Sequence, residues 1–545
     1  MWLFYIKKTM KLMKWVLAAA LMCGSMFFAS CSDDDDDVPV PQRDDEPKTE
    51  YDIFLMSDIH VMAPELLVEN GTAFENYLKT DPKLLEQSGE VLENVVDEIL
   101  IRRPDLVLIP GDLTKDGEMV SHKLVVSILN RINAAGIPVV VVPGNHDIDN
   151  PEGVYFNGDN TSPAERTSPE QFAQLYHDFG YGRVETVRDP ASLSYVCEPL
   201  EGLVLICLDS NLYEENLFVE KGDSIDHNQT AGRIREATLS WMWEQADAAH
   251  AQGKQVIVMQ HHNAVEHFDG QSLIMAPYVV KDYKNVAESM IEHGIHLVIT
   301  GHQHMQDIAQ YRSYKESVVD SLIDITSSST VAYPNAWRML KVNLDFTKWH
   351  VTTGYIKSIG SVSDVQQTCK QRLSDNVVGG LIWHIREYWP TIESYRSTLS
   401  TYGLPTTMLP ATPEETGNLL TKHLGALMGE LYLMSMAGNE NENPRSAVIM
   451  DEIDAGVEAL VREAVTGKVA DELVDGYVLL IKGIAMVYLK PYIMSMVTDT
   501  NQYGDDLTSS VTDDVDVELT LPGPANGNTE ENPEGNPEGT TEPAE

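Results

Sequence analysis

The sequence has few basic residues and few cysteines. Its 545 residues include 38 Lys and Arg against 84 Asp and Glu, which gives a formal net charge of −46. A surface of this charge repels phosphate backbones and excludes nucleic-acid binding through a general basic footprint. Five cysteines are too few for a disulfide scaffold in a chain of this length. Hydrophobic residues make up 43% of the chain, a globular proportion that excludes a fully disordered or fibrous protein.

The N-terminus is typical of an export signal. Several lysines precede an apolar run over residues 15–28, which is too short to span a membrane with ease. The run ends in Phe28-Ala29-Ser30-Cys31, which resembles the lipobox of bacterial lipoproteins. This resemblance implies a signal peptide over residues 1–30 and acylation of Cys31 as the mature N-terminus. An ordinary signal peptide with an incidental cysteine is the alternative.

Acidic, polar segments flank the rest of the chain. Residues 32–50 hold nine acids and two basic groups, and residues 501–545 hold twelve acids and no Lys or Arg. Such segments cannot bury a core, so we predict a disordered linker over 31–50 and a disordered tail over 501–545. The acidic linker resembles the export tether of surface lipoproteins. The alternative is a solvated, flexible linker without a role in export. We therefore expect an exported bacterial lipoprotein on the outer membrane, attached by its lipid alone, with surface exposure left open.

Short apolar runs bounded by Gly, Pro or polar residues predict strands that are buried on both faces. Helical patterns over residues 84–100 and 121–135 lie between the early runs, and alternation of this kind predicts an α/β layered architecture. Residues 193–196 and 337–355 alternate more like antiparallel strands. The apolar runs are residues 53–56, 106–109, 137–142, 203–208, 256–259 and 297–299.

Five of these runs are followed directly by residues that can bind metals. In α/β sheets, ligand sites lie beyond the carboxyl ends of the strands, so we expect these side chains to converge. Carboxylates, imidazoles and an amide suit divalent first-row metals, and they are too many for one four-coordinate zinc. Two metals sharing a carboxylate would generate their own nucleophile from water, so no Ser or Cys nucleophile is needed. The residues are Asp58, His60, Asp112, Asn145, His146, His261, His302 and His304.

The order and spacing of these motifs resemble the calcineurin-like metallophosphoesterase superfamily over residues 52–345. The resemblance implies a layered β-sandwich-type core flanked by helices, over residues 51–360. It implies two metal ions, Mn, Fe or Zn, and attack on phosphorus by a hydroxide that bridges them. The resemblance implies that the first ion is bound by Asp58, His60 and His304, and the second by Asn145, His261 and His302. It implies that Asp112 binds both ions. It makes His146 the catalytic residue beside the leaving group.

The motif after the second apolar run indicates which branch of the family this sequence resembles. It reads Gly111-Asp112-Leu113-Thr114-Lys115-Asp116-Gly117, with Lys115 where the protein phosphatases of the family have Asp. The iron-binding Tyr of purple acid phosphatases is absent as well. The sequence is closest in character to the phosphodiesterase-type branch. Asp116 either orients His146 or is a turn residue before Gly117.

The predicted function is hydrolysis of a small-molecule phosphate ester, with a phosphodiester favoured over a monoester. The acidic surface repels a dianionic monoester more than a monoanionic diester. The alternatives are a metal-containing surface binding protein with little turnover and a phosphatase that acts on lipid head groups. An intact His146 favours an enzyme, since binding alone does not need it. The sequence does not indicate the oligomeric state.

Several other residues have competing interpretations. His262 is either catalytic or packed beside a ligand, and we favour packing. Asp147 is expected to support its loop, while Tyr155 and Phe156 either line the pocket or pack under a loop. Cys197 and Cys207 are buried thiols or a pair. Structural roles are expected for His267, His293 and His296.

The sequence changes character after residue 360 and becomes mostly helical. Helix patterns appear over residues 419–436 and 448–465, and a long apolar stretch covers residues 473–497. Lys482 and Lys490 interrupt that stretch, and lysines in mid-bilayer are costly, so a buried helix is favoured over a membrane span. We predict an α-helical C-terminal domain over 361–500. It would cap the metal site, mediate dimerisation or stabilise the catalytic domain.

Overall fold

The computed structural model describes residues 48–216, 228–313, 320–388, 397, 412–440, 443–498 and 514–523. The chain divides into two units, Met1–Lys48 and Thr49–Glu545, and every helix and strand named below lies in the second. The predicted signal over residues 1–30, Cys31 and most of the linker over 31–50 fall outside the described residues.

The described residues contain sixteen strands and eleven α-helices. The strands are β1 (Glu50–Leu55), β2 (Leu67–Glu69), β3 (Leu106–Pro110), β4 (Val139–Val142), β5 (Val154–Asn157), β6 (Asn160–Pro163), β7 (Val187–Arg188), β8 (Tyr195–Leu200), β9 (Leu203–Cys207), β10 (Gln255–Met259), β11 (Leu297–Thr300), β12 (Asp307–Ser313), β13 (Asp320–Thr326), β14 (Ala336–Asn343), β15 (Lys348–Tyr355) and β16 (Asp516–Thr520). The helices are α1 (Thr72–Thr80), α2 (Ser88–Arg102), α3 (Met119–Ala134), α4 (Pro169–Leu175), α5 (Glu236–His250), α6 (Gln271–Ile274), α7 (Tyr283–Glu292), α8 (Val365–Tyr388), α9 (Pro413–Ser435), α10 (Ser446–Val465) and α11 (Val474–Thr498).

Two mixed sheets form the core. The first has the order β16-β15-β14-β1-β3-β4 and the second β12-β13-β11-β10-β9-β8-β7, while β2, β5 and β6 form a small third sheet. Strands β1, β3 and β4 run parallel to one another, as do β9, β10, β11 and β13. Strands β14, β15 and β16 are antiparallel to their neighbours. The predicted α/β layered fold is confirmed, and its two layers of strands are both mixed sheets.

Side chains of the central strands are buried on both faces, as the continuous apolar runs predict. In β9, Leu205 and Cys207 join the largest core cluster, which contains side chains of both sheets and of helices α2 and α3. Val204 and Ile206 point the other way and pack in a cluster with α5 and α7. The second sheet is therefore covered by the first sheet on one face and by helices on the other.

The C-terminal region is helical, as predicted, and packs around its own apolar cluster. The ammonium of Lys482 on α11 lies 2.7 Å from the Asp454 carboxylate and 3.0 Å from that of Glu458, both on α10. This pairing explains a lysine within an apolar stretch. In the described part of the chain, every helix is too short or too polar to cross a membrane.

Helix α11 is buried on one face only. Val478, Ile481 and Val497 pack inside the helical cluster, whereas Leu479 and Val487 are each 72% exposed. The expectation of a buried helix therefore holds for one face. The exposed face of α11 could not be predicted from the sequence, because apolar residues occur on all sides of this helix.

The predicted disordered tail contributes a strand to the first sheet. Strand β16 pairs antiparallel with β15, and Leu519 lies opposite Trp349. Val517 and Leu519 are buried, and Glu518 between them is exposed. The prediction of disorder throughout 501–545 is therefore wrong for residues 514–523. Alternation of apolar and polar side chains gives this segment the apolar face that the low-complexity end lacks.

Truncation of Leu519 should destabilise the protein, although it lies near the end of the chain. We expect Leu519→Ala to lower the free energy of unfolding by about 2–5 kcal/mol, as for other buried leucines. The matched variant Glu518→Ala removes an exposed side chain and should change the stability by less than about 0.5 kcal/mol. Urea unfolding measures both. Equal stability of the two variants would rule out the strand.

Candidate metal centre

The loops after five strands meet at one edge of the two sheets and carry all eight predicted site residues. Five of these residues have left-handed backbone conformations, which are costly for residues with side chains and cluster at functional sites. Gly144 lies so close to Asp112 that a Cβ there would overlap the carboxylate. The φ angles are 49° for Asp58, 39° for His60, 48° for Asp112, 68° for His302 and 58° for His304.

One group of possible metal ligands consists of Asp58, His60, Asp112 and His304. One ligand atom from each lies within 4.8 Å of the others. The Nε2 atoms of His60 and His304 are 3.0 Å apart, and His304 Nε2 is 3.3 Å from Asp58 Oδ1. His60 Nε2 is 3.6 Å from Asp112 Oδ2. All four atoms therefore face a common point.

A second group shares Asp112 with the first and adds His261 and His302, again within 4.8 Å. His261 Nε2 lies 3.3 Å from Asp112 Oδ2. Asn145 belongs with this group, because its Oδ1 is 3.2 Å from His261 Nε2. Asp112 therefore stands between two sets of ligands, as a bridging carboxylate must.

The atoms of the two groups are better suited to binding a pair of cations than to forming hydrogen bonds with one another. His302 Nε2 is buried and has no hydrogen-bond partner among the described residues. A buried polar atom without a partner costs free energy unless something outside the protein satisfies it. A lone pair of His302 Nε2 on a metal ion would meet that need. The donor set of carboxylate, imidazole and amide oxygen suits Mn, Fe or Zn.

The charge states of three candidate ligands suit metal binding, and that of His261 does not. Burial lowers the pKa of His261, but Asp112 outweighs burial and raises it to about 9, so this ring would have to lose its proton to bind a metal. Burial lowers the pKa of His302 and of His60 well below the ordinary value, so both rings are neutral. Burial alone would raise the pKa of Asp112, but the charges of His261 and His146 outweigh it and hold that pKa well below its usual range. Neutral imidazoles and an ionised carboxylate are the forms that bind metals.

His146 lies beside the ligands and is held by one of its ring nitrogens. Its Nδ1 donates to the carbonyl of Lys115 and to Asp116 Oδ1, both at 2.8 Å. The other oxygen of Asp116 accepts from the ammonium of Lys115. Burial lowers the pKa of His146, but the charge of Asp112 and the hydrogen bond to Asp116 outweigh this and raise it to about 10. The orienting role of Asp116 is confirmed over the turn-residue alternative.

Asp147 supports the loop, as expected, and binds no part of the ligand groups. Its carboxylate accepts from the backbone N–H groups of Leu113, Thr114 and Gly144 at 3.1, 2.9 and 2.8 Å. These bonds fix the loop after β3 to the loop after β4, and therefore fix Asp112 relative to Asn145.

His262 is a packed histidine. Its Nδ1 lies 2.8 Å from Ser210 Oγ and its Nε2 lies 2.9 Å from the carbonyl oxygen of Thr230. Burial lowers its pKa to about 3, so the ring is neutral. Its ring packs against that of His302, with centroids 4.4 Å apart. The packing interpretation that we favoured is confirmed.

The remaining residues with competing interpretations lie away from the ligands. Tyr155 and Phe156 pack in a small apolar cluster with Phe74, which favours packing over lining of the pocket. Cys197 and Cys207 are both buried free thiols. They are therefore core residues and do not form a disulfide.

The other three histidines form structural contacts. His293 lies 2.9 Å from Asp247 and stacks on Trp243, and His296 lies 3.0 Å from the carbonyl oxygen of Ser321. The third, His267, is buried between the carboxylates of Asp307 and Asp324. Their predicted structural role is confirmed.

His267 should make the stability of the protein depend on pH. It lies 2.5 Å from Asp307 and 3.3 Å from Asp324. Burial lowers its pKa, but the two carboxylates outweigh burial and raise it from 6.5 to about 10. The stabilisation is therefore fully present below pH 6.5 and disappears as the pH rises through about 10.

We expect His267→Gln to lower the free energy of unfolding by about 3–5 kcal/mol near pH 6, because it removes the imidazolium that lies between two buried carboxylates. The loss should shrink toward pH 10. Urea unfolding across this range measures it, with the partly exposed His293→Gln as the control. A loss that is independent of pH would show that His267 is not charged.

Sequence reasoning missed Tyr278, which packs on a candidate ligand, and the buried Lys83. The Tyr278 ring lies 4.7 Å from the His302 ring, centroid to centroid. Lys83 is only 8% exposed and pairs with Asp81 at 2.9 Å. Neither residue follows a predicted strand or belongs to a motif, so the sequence carried no signal for them.

Comparisons with known proteins agree with this geometry. Residues 51–306 match the family described as calcineurin-like phosphoesterase. A curated relative from Ruthia magnifica subsp. Calyptogena magnifica, named a probable cyclic nucleotide phosphodiesterase, is 36% identical over 66 residues. That alignment covers 12% of this chain and 27% of the relative, so the chain spans about a quarter of the relative's length.

Solved structures with a similar chain path include two phosphatases. A dimetal phosphatase from Danio rerio is 14% identical and has a TM-score of 0.39, over 56% of this chain and 96% of that one. A purple acid phosphatase from yellow lupin (Lupinus luteus) seeds is 12% identical and has a TM-score of 0.34, over 58% and 53% of the two chains. The family match covers residues 51–306, a little under half of the chain, and supports a metal-dependent phosphoric ester hydrolase.

Proposed function

We propose that this chain is a dinuclear-metal-dependent phosphoesterase that prefers phosphodiesters to monoesters. The observation that carries the proposal is the pair of ligand groups that share Asp112. Bound metal ions would supply a water with a pKa lowered to about 7 and would polarise the phosphoryl group. In this proposal one ion is held by Asp58, His60, Asp112 and His304, and the other by Asp112, Asn145, His261 and His302.

His146 is the residue that we assign to the leaving group. Its Nδ1 is already bound by the Lys115 carbonyl and Asp116, so Nε2 is the nitrogen that can reach a substrate. A proton held on Nε2 would be donated to the departing alcohol oxygen. Asp116 keeps the ring in the orientation and tautomer that this transfer requires.

The preference for diesters rests on charge. The chain carries a formal net charge of −46, so its field opposes a dianionic monoester more than a monoanionic diester. The name of the Ruthia magnifica relative, a probable cyclic nucleotide phosphodiesterase, supports the same preference.

Steady-state rates on bis-aryl and mono-aryl phosphates test the proposal. We expect the protein reconstituted with Mn, Fe or Zn to hydrolyse both and to show the higher kcat/KM on the diester. A large monoester preference would refute the diester assignment while leaving the phosphoesterase intact. Metal-loaded protein without turnover on a broad panel of phosphate esters, including lipid head groups in micelles, would instead favour a binding protein.

We also propose that the protein is an exported lipoprotein held on the outer membrane by acylated Cys31. The support is the lipobox-like Phe28-Ala29-Ser30-Cys31 after an apolar run. Labelling with a radioactive fatty acid should mark the protein and should fail for Cys31→Ser. Equal labelling of both proteins would contradict the anchor.

A further inference from the structure

The carboxylate of Asp116, which orients His146, is itself held through both of its oxygens. Its Oδ1 accepts from His146 Nδ1 at 2.8 Å and from the amide of Asn150 at 3.4 Å. Its Oδ2 accepts from the ammonium of Lys115 and, at 3.3 Å, from the hydroxyl of Tyr77. The orientation of His146 therefore depends on groups that lie one contact further from the metal centre.

Lys115 meets the hydrogen bonds of His146 at two points. Its carbonyl accepts from His146 Nδ1 at 2.8 Å, while its ammonium contacts Asp116 and lies 3.5 Å from Glu118 Oε1. The side chains of Lys115, Asp116 and Glu118 are all fully buried. A buried ammonium is costly unless it is paired, and breaking a buried pair leaves the other charge uncompensated. Lys115 is therefore tied to the carboxylate that orients His146.

Two aromatic rings enclose the ammonium of Lys115. It lies 4.5 Å from the centroid of the Tyr77 ring and 5.4 Å from that of Phe156, both within the range of cation–π contacts. The two rings pack edge to face, with centroids 5.4 Å apart. Tyr77 belongs to α1 and Phe156 to β5 of the small third sheet, elements that carry none of the eight predicted site residues. Both elements therefore contact the network of His146 through the Lys115–Asp116 pair.

The positive charge of Lys115 keeps Asp116 in its acceptor form. Burial raises the pKa of Asp116, but the charge of Lys115 outweighs burial and, together with His146, holds that pKa well below its usual range. Attraction between the two charges is stronger in this buried site than it would be in water. Asp116 is therefore an ionised acceptor whose Oδ2 is held by Lys115 while its Oδ1 remains available to His146.

We propose that Lys115 is a positioning residue for His146: its ammonium, with the hydroxyl of Tyr77, fixes Asp116 where Oδ1 holds the Nδ1–H group of the imidazole. The ring is thereby kept with Nε2 toward the leaving group. The inference rests on the proposed function, in which His146 donates a proton to the departing alcohol. It also assigns α1 and the small third sheet a part in catalysis, because they supply the rings that enclose Lys115.

Steady-state rates of the metal-loaded full chain test the proposal. We expect Lys115→Met to lower kcat for an alkyl phosphate ester roughly ten- to hundredfold, because a misplaced acid loses part of its catalytic effect. For an aryl ester, whose leaving group departs without a proton, the fall should be much smaller. KM and metal content should change little, because the variant leaves the candidate ligands in place. The control is Lys123→Met, an exposed lysine on α3, which should keep both rates.

A double-mutant cycle with His146→Gln shows whether Lys115 acts through His146. Lys115→Met should lower kcat for the alkyl ester when His146 is present and should add no further loss in His146→Gln. A merely structural role would lower thermal stability and would reduce the rates on alkyl and aryl esters alike, in both backgrounds.

If Lys115→Met does not fold, because it leaves two buried carboxylates without their cation, Tyr77→Phe decides. This variant removes only the hydroxyl that donates to Asp116, and it should lower kcat for the alkyl ester roughly two- to tenfold with little change for the aryl ester.

Unchanged rates in Lys115→Met, equal losses on both esters, or an additive loss with His146→Gln would overturn the role of Lys115, as would unchanged rates in Tyr77→Phe where that variant decides. If the unchanged protein holds metal but hydrolyses no ester, or if His146→Gln shows no dependence on the leaving group, the proposed function itself fails. The two failures are therefore distinguishable, because the second appears without any change at Lys115.

Discussion

Replacement of Asp112 by asparagine should reduce ester hydrolysis by roughly a thousandfold or more. Asp112 is the residue that both ligand groups share, so the loss of its charge weakens both metal positions at once. An amide has one oxygen to offer, and it cannot balance two dications as a carboxylate does. Elemental analysis should therefore show metal loss in the same preparation that shows the loss of turnover.

The exposed Asp178→Asn is the matched control for Asp112→Asn, because it removes one carboxylate from the surface without touching the site. It should keep both metal and activity. A folded Asp112→Asn protein with undiminished turnover would end the dinuclear account. Full metal content with no turnover would show that Asp112 acts on the substrate and does not bridge the ions.

The second large loss of activity is expected on replacement of His146, and here the metal content should not change. His146 contributes to neither ligand group, so His146→Gln should retain its metal content. General acid catalysis typically contributes 10²–10⁴-fold, and we expect kcat to fall by about that factor for an alkyl phosphate ester. For an aryl ester such as a nitrophenyl phosphate the fall should be much smaller, because that leaving group departs without a proton.

The dependence on the leaving group separates proton donation from other roles of His146. Rates for a series of esters with increasingly acidic alcohols provide the measurement, and His293→Gln serves as a partly exposed histidine control. An equal loss across the series would contradict the general-acid assignment and would favour a contact to the phosphoryl oxygen.

The sequence predicted the centre of the site because its signal is local. Each candidate ligand follows a short apolar run of the kind that predicts a buried strand, and each run ends in residues with metal-binding atoms. The carboxyl ends of neighbouring parallel strands lie at the same edge of a sheet. Pairing of β1, β3 and β4 in parallel therefore brings Asp58, Asp112 and Asn145 together. The placement of the second sheet against the first completed the set.

Features that depend on distant pairing could not be predicted in this way. Strand β16 pairs with β15 although more than 150 residues separate the two strands in the sequence. The acidic composition around β16 concealed the short alternation that buries Leu519. Lys83 is a single lysine in a loop, and its burial becomes apparent only in the fold, where Arg372 donates to its carbonyl and Val331 accepts from the neighbouring Leu84. No local pattern encodes such contacts.

The positive charge of His267 also could not be predicted from the sequence, because it depends on partners that are distant in the chain. A lone histidine in a sequence carries no indication of its partners, and Asp307 and Asp324 come from two strands that pair antiparallel. Structural roles for such residues can be expected from the sequence, whereas their protonation state requires the fold.

The most direct test of the account is a crystal structure of the metal-reconstituted protein with anomalous scattering at the metal absorption edge. We expect two peaks roughly 3.5–4 Å apart with the Asp112 carboxylate between them. Asp58, His60 and His304 should surround one peak, and Asn145, His261 and His302 the other. A single peak, or peaks bound by other residues, would contradict the dinuclear centre.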